Sequence, residues 1–492
     1  MTVIAGLDFG TSSVKLVVVT TDGVTLAGGQ ADYPTRTDLP GVAGSVEQHP
    51  EDWWAAARSV LAGSGVAGRV EVLAVTGQMQ DLIAVADHCA VRPALLYSDT
   101  RATRQHRALR SRLPDWERRT GNHQDASNLA AKLSWLAEHE PATLAAAERL
   151  LFSAPGYIAW RAGGAAACDL TTASTTGLLD VIAQDWYADA LALTGVDERL
   201  LPRLVGLTGA DQVVGEVSPA AAAELGVSDG VPIVLAMGDA GATTDGLVGS
   251  QPGDAYLYLG TTGWLAAVTA EAPAEPSLIH SLVLPGWRHR LRIGAVQSAG
   301  STAGWARERF LPGLGRDEAE ALIADRVHRV EVRPLCLPGL AGERTPVRDE
   351  TFRGAFVGVH EATTAADFYL AALTGVAFGL RHAADELGVV QSRIALVGGG
   401  SSSPAWRQIL ADVFAATIVC GDDDGPGCRS AALTAAQALG LPHTLTPLLS
   451  RSSTVSATEP SAAAPAYAVV RPTHRALYQA LGDTFAGLAA AR

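Results

Sequence analysis

Cysteine is scarce and scattered in this chain. The five present, Cys89, Cys168, Cys336, Cys420 and Cys428, form no CxxC pair, which argues against a zinc site or a disulfide framework and fits free thiols in a reducing compartment. Long apolar runs are missing too. No stretch reaches about 18 uninterrupted apolar residues, and no basic segment precedes an extended apolar core at the N-terminus, so neither a membrane span nor a secretory leader is expected. Positive charge is also short: 37 Lys and Arg against 51 Asp and Glu leave a formal net charge of −14. Such a balance argues against nucleic-acid or anionic-membrane partners. Any anionic ligand must then be held by local donors and a cation. A cytoplasmic setting is the expectation. The rest of the composition, 48% hydrophobic and 18% charged over 492 residues, is that of a folded chain with room for two large domains or one elaborated domain.

What is present begins with VIAGLDFGTSSVKLVVVTTDG, residues 3–23. A glycine-rich turn after an apolar strand suggests a phosphate site, yet the spacing of a P-loop is absent, and a dinucleotide fold would need a helix next. The β-branched run of Val14, Val17, Val18 and Val19 instead predicts a second strand, with Asp22-Gly23 as a further turn. Asp8 ends the first strand. Gly10, Thr11, Ser12 and Ser13 then make a donor-rich hairpin tip, equally readable as an ordinary turn or as a phosphate cradle. Further on, HPEDWWAAARSVLAG predicts a helix opened by Pro50, Glu51 and Asp52, VEVLAVTGQM a strand, and VPIVLAMGDAGATTDGLVGS a buried strand ending at Gly238-Asp239 before a helix of small residues. This alternation indicates an α/β architecture.

The second half echoes the first. DAYLYLGTTGWLAAVT is again strand, turn, strand, with Gly260, Thr261, Thr262 and Gly263 at the tip; two such tips facing each other could cradle a polyphosphate. A third glycine cluster, Gly398-Gly399-Gly400, follows the strand Ile394–Val397 and precedes a helix opened by Ser402 or Ser403 with Pro404 at its first position. Together with Asp422 this mimics a dinucleotide-binding unit, but serine occupies the position of the third glycine. Residues 450–466, rich in Ser, Ala, Thr and Pro, read as a loop before a last helix, HRALYQALGDTFAGLAAA.

Taken in order, these motifs resemble the FGGY family of carbohydrate kinases, within the superfamily of actin, hexokinase and the heat-shock ATPases. GLDFGTSSVK resembles its first phosphate hairpin, and LGTTG the second. VEQHPEDWW, VTGQM, SDTRA, KLSWL and DLTTASTTGLLD are similar to its sugar-side segments, GDAGATTDGLVG to the stretch with its catalytic aspartate, LPGLAGERTPVRD and RGAFVGV to a family-specific block, and LVGGGSSSPAWRQILAD to its adenosine segment. Two positions depart from the pattern. The branch acting on xylulose reads Gln-Met-His-Gly where this chain has Gln78-Met79-Gln80-Asp81, and CRSAALTAAQALG lacks the usual Gly-Ala-Ala start.

The resemblance implies a two-domain actin-like (ribonuclease H-like) ATPase fold with a deep interdomain cleft, divided into a sugar-side half, 1–245, and a nucleotide-side half, 246–492. It implies phosphorylation of a ketopentose, foremost D-xylulose to D-xylulose 5-phosphate, with ATP and Mg²⁺. Another sugar, polyol or sugar acid is the alternative; a sugar-binding protein without activity and a chaperone-like or filament-forming ATPase stand further off. Asp239 is then the expected base and a substrate contact, and Asp8 the expected holder of Mg²⁺ through water. Gly10, Thr11, Ser12, Ser13, Gly260, Thr261, Thr262, Gly399, Gly400 and Ser403 are the expected nucleotide and phosphate contacts. Gln78, Met79, Gln80, Asp99 and Arg101 are the expected sugar contacts, and Arg344 is expected to be structural. The sequence leaves the oligomeric state open, a homodimer among the options.

Overall fold

The computed structural model describes residues 1–271, 277–328, 333–389, 391–421, 425–451 and 456–491. Asp422, which completes the dinucleotide-like pattern, lies outside the described residues. The chain opens with the hairpin that the valine run predicts: β1 (Val3–Phe9) pairs antiparallel with β2 (Ser13–Thr20), and β3 (Thr25–Asp32) follows antiparallel. Gly23 takes φ +86° in the turn between β2 and β3, a conformation glycine adopts without steric cost. The chain then passes through α1 (Pro50–Gly63), with proline in its first turn, to β4 (Val72–Gly77), which lies parallel to β1 on its other side. Much later β5 (Val213–Glu216) and β6 (Pro232–Leu235) complete a six-stranded sheet in the order β3-β2-β1-β4-β6-β5. Helix α2 (Asp239–Leu247) leaves it.

The second half builds the same pattern again. β7 (Ala255–Leu259) and β8 (Gly263–Thr269) form the hairpin, β9 (His280–Val283) and β10 (Arg290–Val296) extend it, and β11 (Arg393–Val397) and β12 (Thr417–Cys420) follow in parallel on the other side of β7. With β13 (Ser456–Thr458) the order is β9-β10-β8-β7-β11-β12-β13. The strands β1, β2, β3, β4 and β6 thus correspond to β7, β8, β10, β11 and β12. The faint echo in the sequence is a duplication of the fold.

Helices join the halves by exchange. In the first half α2 leaves the sheet after β6; its counterpart after β12 is α6 (Pro426–Ala438), preceded in the second half by α3 (Gly300–Phe310), α4 (Ala365–Leu387) and α5 (Pro404–Phe414). Cys428, Ala431, Ala432 and Ala435 of α6 pack among Ile4, Val17, Ala74 and Val234 of the first sheet. Ala242 and Leu247 of α2 pack among Tyr256, Ala266 and Leu291 of the second. The crossing is close. A Cβ added at Gly246 would strike the Pro426 carbonyl, and one at Gly6 the Cys428 carbonyl, so both positions need the hydrogen side chain.

A second sheet in the first half, built on Met79–Ala86 and Arg149–Ser153, packs with helix Leu129–His139 around its own core of Leu82, Leu95, Leu133 and Phe152. The C-terminal region differs from expectation. Residues 456–458 form edge strand β13, and the last helix, α7 (Ala464–Ala490), starts inside the expected loop and runs through Pro472. Tyr467, His474, Tyr478 and Phe485 lie buried on one face of α7, so tertiary packing overrides the lost backbone bond at the proline. Among the described residues no helix is long and apolar enough to cross a membrane.

Candidate active site

The end of β6 runs through Met237-Gly238 into α2. Gly238 takes the N-cap position and Asp239 is the first helical residue, so Asp239 does not serve as the cap, and its Oδ1 accepts the N–H of Ala240 at 2.7 Å. Burial, and next the charge of Asp8, push its carboxyl up to about 7. Two buried groups fix this strand end. Asp169 Oδ1 accepts the Gly238 N–H at 2.9 Å while capping the short helix Leu170–Ala173, and Thr76 Oγ1 donates to the Met237 carbonyl at 2.6 Å. Met79 lies over Gly238, where a Cβ would strike its sulfur. The placement of Asp169 was not visible in the sequence, because its partner is 69 residues away.

Each hairpin tip closes with a backbone bond, Gly10 N–H to Ser13 O and Gly260 N–H to Thr262 O, both 3.0 Å. The tips differ in what holds them. Gln48 Nε2 donates to the Thr11 carbonyl at 2.6 Å and Tyr33 Oη to the Ser13 carbonyl at 3.1 Å, whereas the N–H groups of Ala299, Gly300 and Ser301 at the start of α3 bind the carbonyls of Thr261 and Gly260 at 2.8–3.2 Å. Thr11, Ser12 and Thr261 are exposed; Ser13 and Thr262 are half-buried.

Beside the second tip lies a cavity of about 540 Å³ whose lining includes Gly260, Thr261, Gly300, Gly399, Gly400 and Ser403. Five sequence-predicted residues, Gly260, Thr261, Gly399, Gly400 and Ser403, therefore line one cavity. The helix start falls at Ser403, whose Oγ accepts the Trp406 N–H at 3.0 Å, with Pro404 following. Arg307, Arg316, Tyr369 and Trp406, unmarked in the sequence, also line it.

Of the expected sugar contacts, Gln78 is buried and donates to Gln48 Oε1 at 3.1 Å, while its own Oε1 is buried without a partner. Gln80 stands at φ +67° with Nε2 on the Ser127 carbonyl at 2.8 Å. Asp99 is fully buried, accepting from Val46 N–H at 2.7 Å and from Arg101, whose guanidinium also reaches Glu47 at 2.8 Å and lies over Trp135. Their polar groups are taken up by this network. Arg344 follows Glu343, which is buried and accepts the N–H groups of Gln297 at 2.8 Å and Arg344 at 2.9 Å, pinning the approach to α3.

Asp8 and Asp239 form a fitting place for a divalent cation. The charge of Asp8 adds to the cost of ionising Asp239, a like-charge repulsion that a hard cation with oxygen ligands would relieve.

The chain matches the model of the FGGY family of carbohydrate kinases, N-terminal domain, over residues 3–246 and that of the C-terminal domain over residues 255–439. It is 31% identical to a xylulose kinase of Escherichia coli over 442 residues, 87% of this chain and 88% of the relative. Identity to a xylulose kinase of Streptomyces rubiginosus is 32% over 430 residues, 83% of this chain and 82% of the relative. The crystal structure of xylulose kinase from Rhodospirillum rubrum superposes with a TM-score of 0.84 at 26% identity, covering 98% of this chain and 99% of that one. The chain therefore belongs to the FGGY family of carbohydrate kinases.

Proposed function

We propose that this chain transfers the γ-phosphoryl group of ATP to a hydroxyl of a neutral ketopentose, foremost D-xylulose, giving D-xylulose 5-phosphate and ADP. One observation carries the reading: a carboxylate whose pKa rises to about 7 stands at the start of α2, off the capping position and beside Asp8. Phosphoryl transfer asks for alignment and for neutralisation of spreading charge. Asp239 accepts the proton of the attacking hydroxyl as the oxygen–phosphorus bond forms, and a base near neutrality is matched to that task. The tips at Gly10–Ser13 and Gly260–Thr262 present N–H and hydroxyl donors to the phosphates, and the cavity at Gly399, Gly400 and Ser403 takes the nucleoside. Asp8 would hold Mg²⁺ through water; when bound, the ion neutralises phosphate charge that the net charge of −14 would otherwise repel. Residues 1–245 then form the sugar side and 246–492 the nucleotide side.

The substrate is argued from charge. Asp81 is fully buried, and burial, opposed by Lys132 and reinforced by the charge of Asp239, pushes its carboxyl up to about 8. The like charges of Asp8 and Asp239 disfavour a sugar acid and leave neutral ketoses preferred. The test is ADP release from MgATP across ketopentoses, polyols, hexuloses and aldonic acids, with Asp239→Ala as control. Strong stimulation by D-xylulose that the control abolishes is expected; a preference for an aldonic acid overturns the substrate assignment.

A further inference from the structure

Asp81 replaces the glycine expected from the resemblance, and Tyr97 is a large aromatic residue left 39% exposed directly after the fully buried Leu95 and Leu96. Three hydrogen bonds connect these two anomalies. Asp81 Oδ1 accepts the Tyr97 N–H at 3.2 Å. Lys132, fully buried, donates Nζ to the carbonyl of Gln80 at 3.3 Å and to that of Leu96 at 2.5 Å, the residues immediately before Asp81 and Tyr97. Residues 80–81 and 96–97 are thus stapled together from below. From this fixed base the Tyr97 ring reaches 86 residues back along the chain, where its hydroxyl meets Thr11 Oγ1 at 3.1 Å.

Two hydroxyls that share one hydrogen bond must divide the roles of donor and acceptor. If Thr11 gives its single proton to a phosphate oxygen, it can only accept from Tyr97. We propose that Tyr97 is a positioning residue for phosphoryl transfer: its phenolic O–H donates to Thr11 Oγ1, turns the threonine proton toward the phosphate, and is itself held in place by Asp81 and Lys132. This rests on the kinase reading given above. It assigns Asp81 a task other than touching sugar, since the carboxylate is buried and one of its oxygens already binds the Tyr97 backbone. It also joins the two substrate sites physically. Gln80 belongs to the sugar side and Thr11 to the phosphate side, and a chain of donors polarised in one direction strengthens its terminal bond.

The experiment is a double-mutant cycle on ADP release at saturating sugar, with Tyr97→Phe, Thr11→Val and the pair. Tyr97→Phe should lower kcat by about 5–20-fold, the scale of one hydrogen bond made at the transition state, while KM for ATP stays within about twofold and Tm is unchanged. In the Thr11→Val background the same change should have no further effect, because the relay has already lost its end. Asp81→Gly should lower kcat in the same direction and Asp81→Asn, which keeps an acceptor for Tyr97, should restore it. An unchanged kcat for Tyr97→Phe, or losses that multiply in the double variant, overturns the role of Tyr97 alone. A wild type that no sugar stimulates overturns the kinase reading, and the role of Tyr97 with it.

Discussion

The two halves share a strand order and differ in what stands at equivalent positions. β1 ends in Asp8-Phe9-Gly10-Thr11 and β7 in Tyr258-Leu259-Gly260-Thr261; α2 begins Gly238-Asp239 and α6 begins Gly425-Pro426. Both acids of the proposed chemistry therefore lie in the first half, and their counterparts are a tyrosine, stacked on Trp264 with centroids 3.8 Å apart, and a proline. The duplication supplies a frame with two donor-rich tips. Chemistry requires the symmetry to be broken, since four carboxylates around a triphosphate would repel it, whereas two on the hydroxyl side can hold a cation and take a proton.

The largest expected effect comes from erasing that difference. Asp239→Ala gives the first half a neutral residue like its counterpart, and turnover should fall by about 10²–10⁴ with ATP still bound, as seen by calorimetry. Near-normal turnover would refute the assignment of the base. Next comes the packing that both halves share. Gly6→Val places atoms against the Cys428 carbonyl of the exchanged helix and should cost about 1–3 kcal/mol or more in denaturant titration. Gly28→Ala, where the new Cβ meets the Leu16 carbonyl only at 3.4 Å, should stay within about 0.5 kcal/mol. Equal costs would mean that the helix exchange is not what excludes a side chain at Gly6.

The contrast between the tips predicts a smaller effect of a different kind. The first tip is held by side chains, the second by backbone. Gln48→Leu removes the donor to Thr11 and leaves the buried N–H groups of Trp53 and Gln78 without the oxygen they share, so KM for ATP should rise by about 5–10-fold with some loss of stability. Ser301→Ala deletes a hydroxyl from Thr261 but leaves the three backbone donors in place, and KM should move by less than about twofold. A Ser301→Ala effect as large as that of Gln48→Leu would remove the distinction.

How much of this could be read beforehand depends on the range over which a residue acts. The opening hairpin, the helix at Pro50, the cap at Ser403 and the strand end before Asp239 rest on local patterns of β-branching, proline and small polar residues, and they stand where those patterns put them. The exchange of α2 and α6 had no local signal beyond their small side chains. Asp99 and Arg101 illustrate the limit: the motif marks them, but whether an acid-arginine pair faces a cavity or a buried network depends on Glu47, more than 50 residues away. Asp81 reads as a substrate-side substitution until the backbone of Tyr97 is placed above it.

The smallest predicted effect is confined to the second half. Among the described residues its His382 and His474 are the buried histidines of the chain. His474 Nε2 lies 2.9 Å from the Cys336 carbonyl, which can only accept, so this nitrogen carries the proton and Nδ1 accepts from His382 Nε2–H at 3.0 Å. Burial disfavours the charged form of both rings, which are neutral in the fold near pH 7. Burial lowers the pKa of His474 to about 4, and burial, His474 and the nearby Arg475, Arg471 and Arg381 lower that of His382 further. Since the unfolded chain binds these protons near pH 6.5 and the folded one does not, the stabilisation is complete above that pH and is lost as pH falls toward 4. At pH 5.5 the loss should be about 1.4 kcal/mol per histidine, seen as a lower Tm in calorimetry. His382→Phe keeps the volume and removes one titrating ring, so its Tm should fall less steeply between pH 7.5 and 5.5 than that of the wild type; parallel slopes would place the acid sensitivity elsewhere.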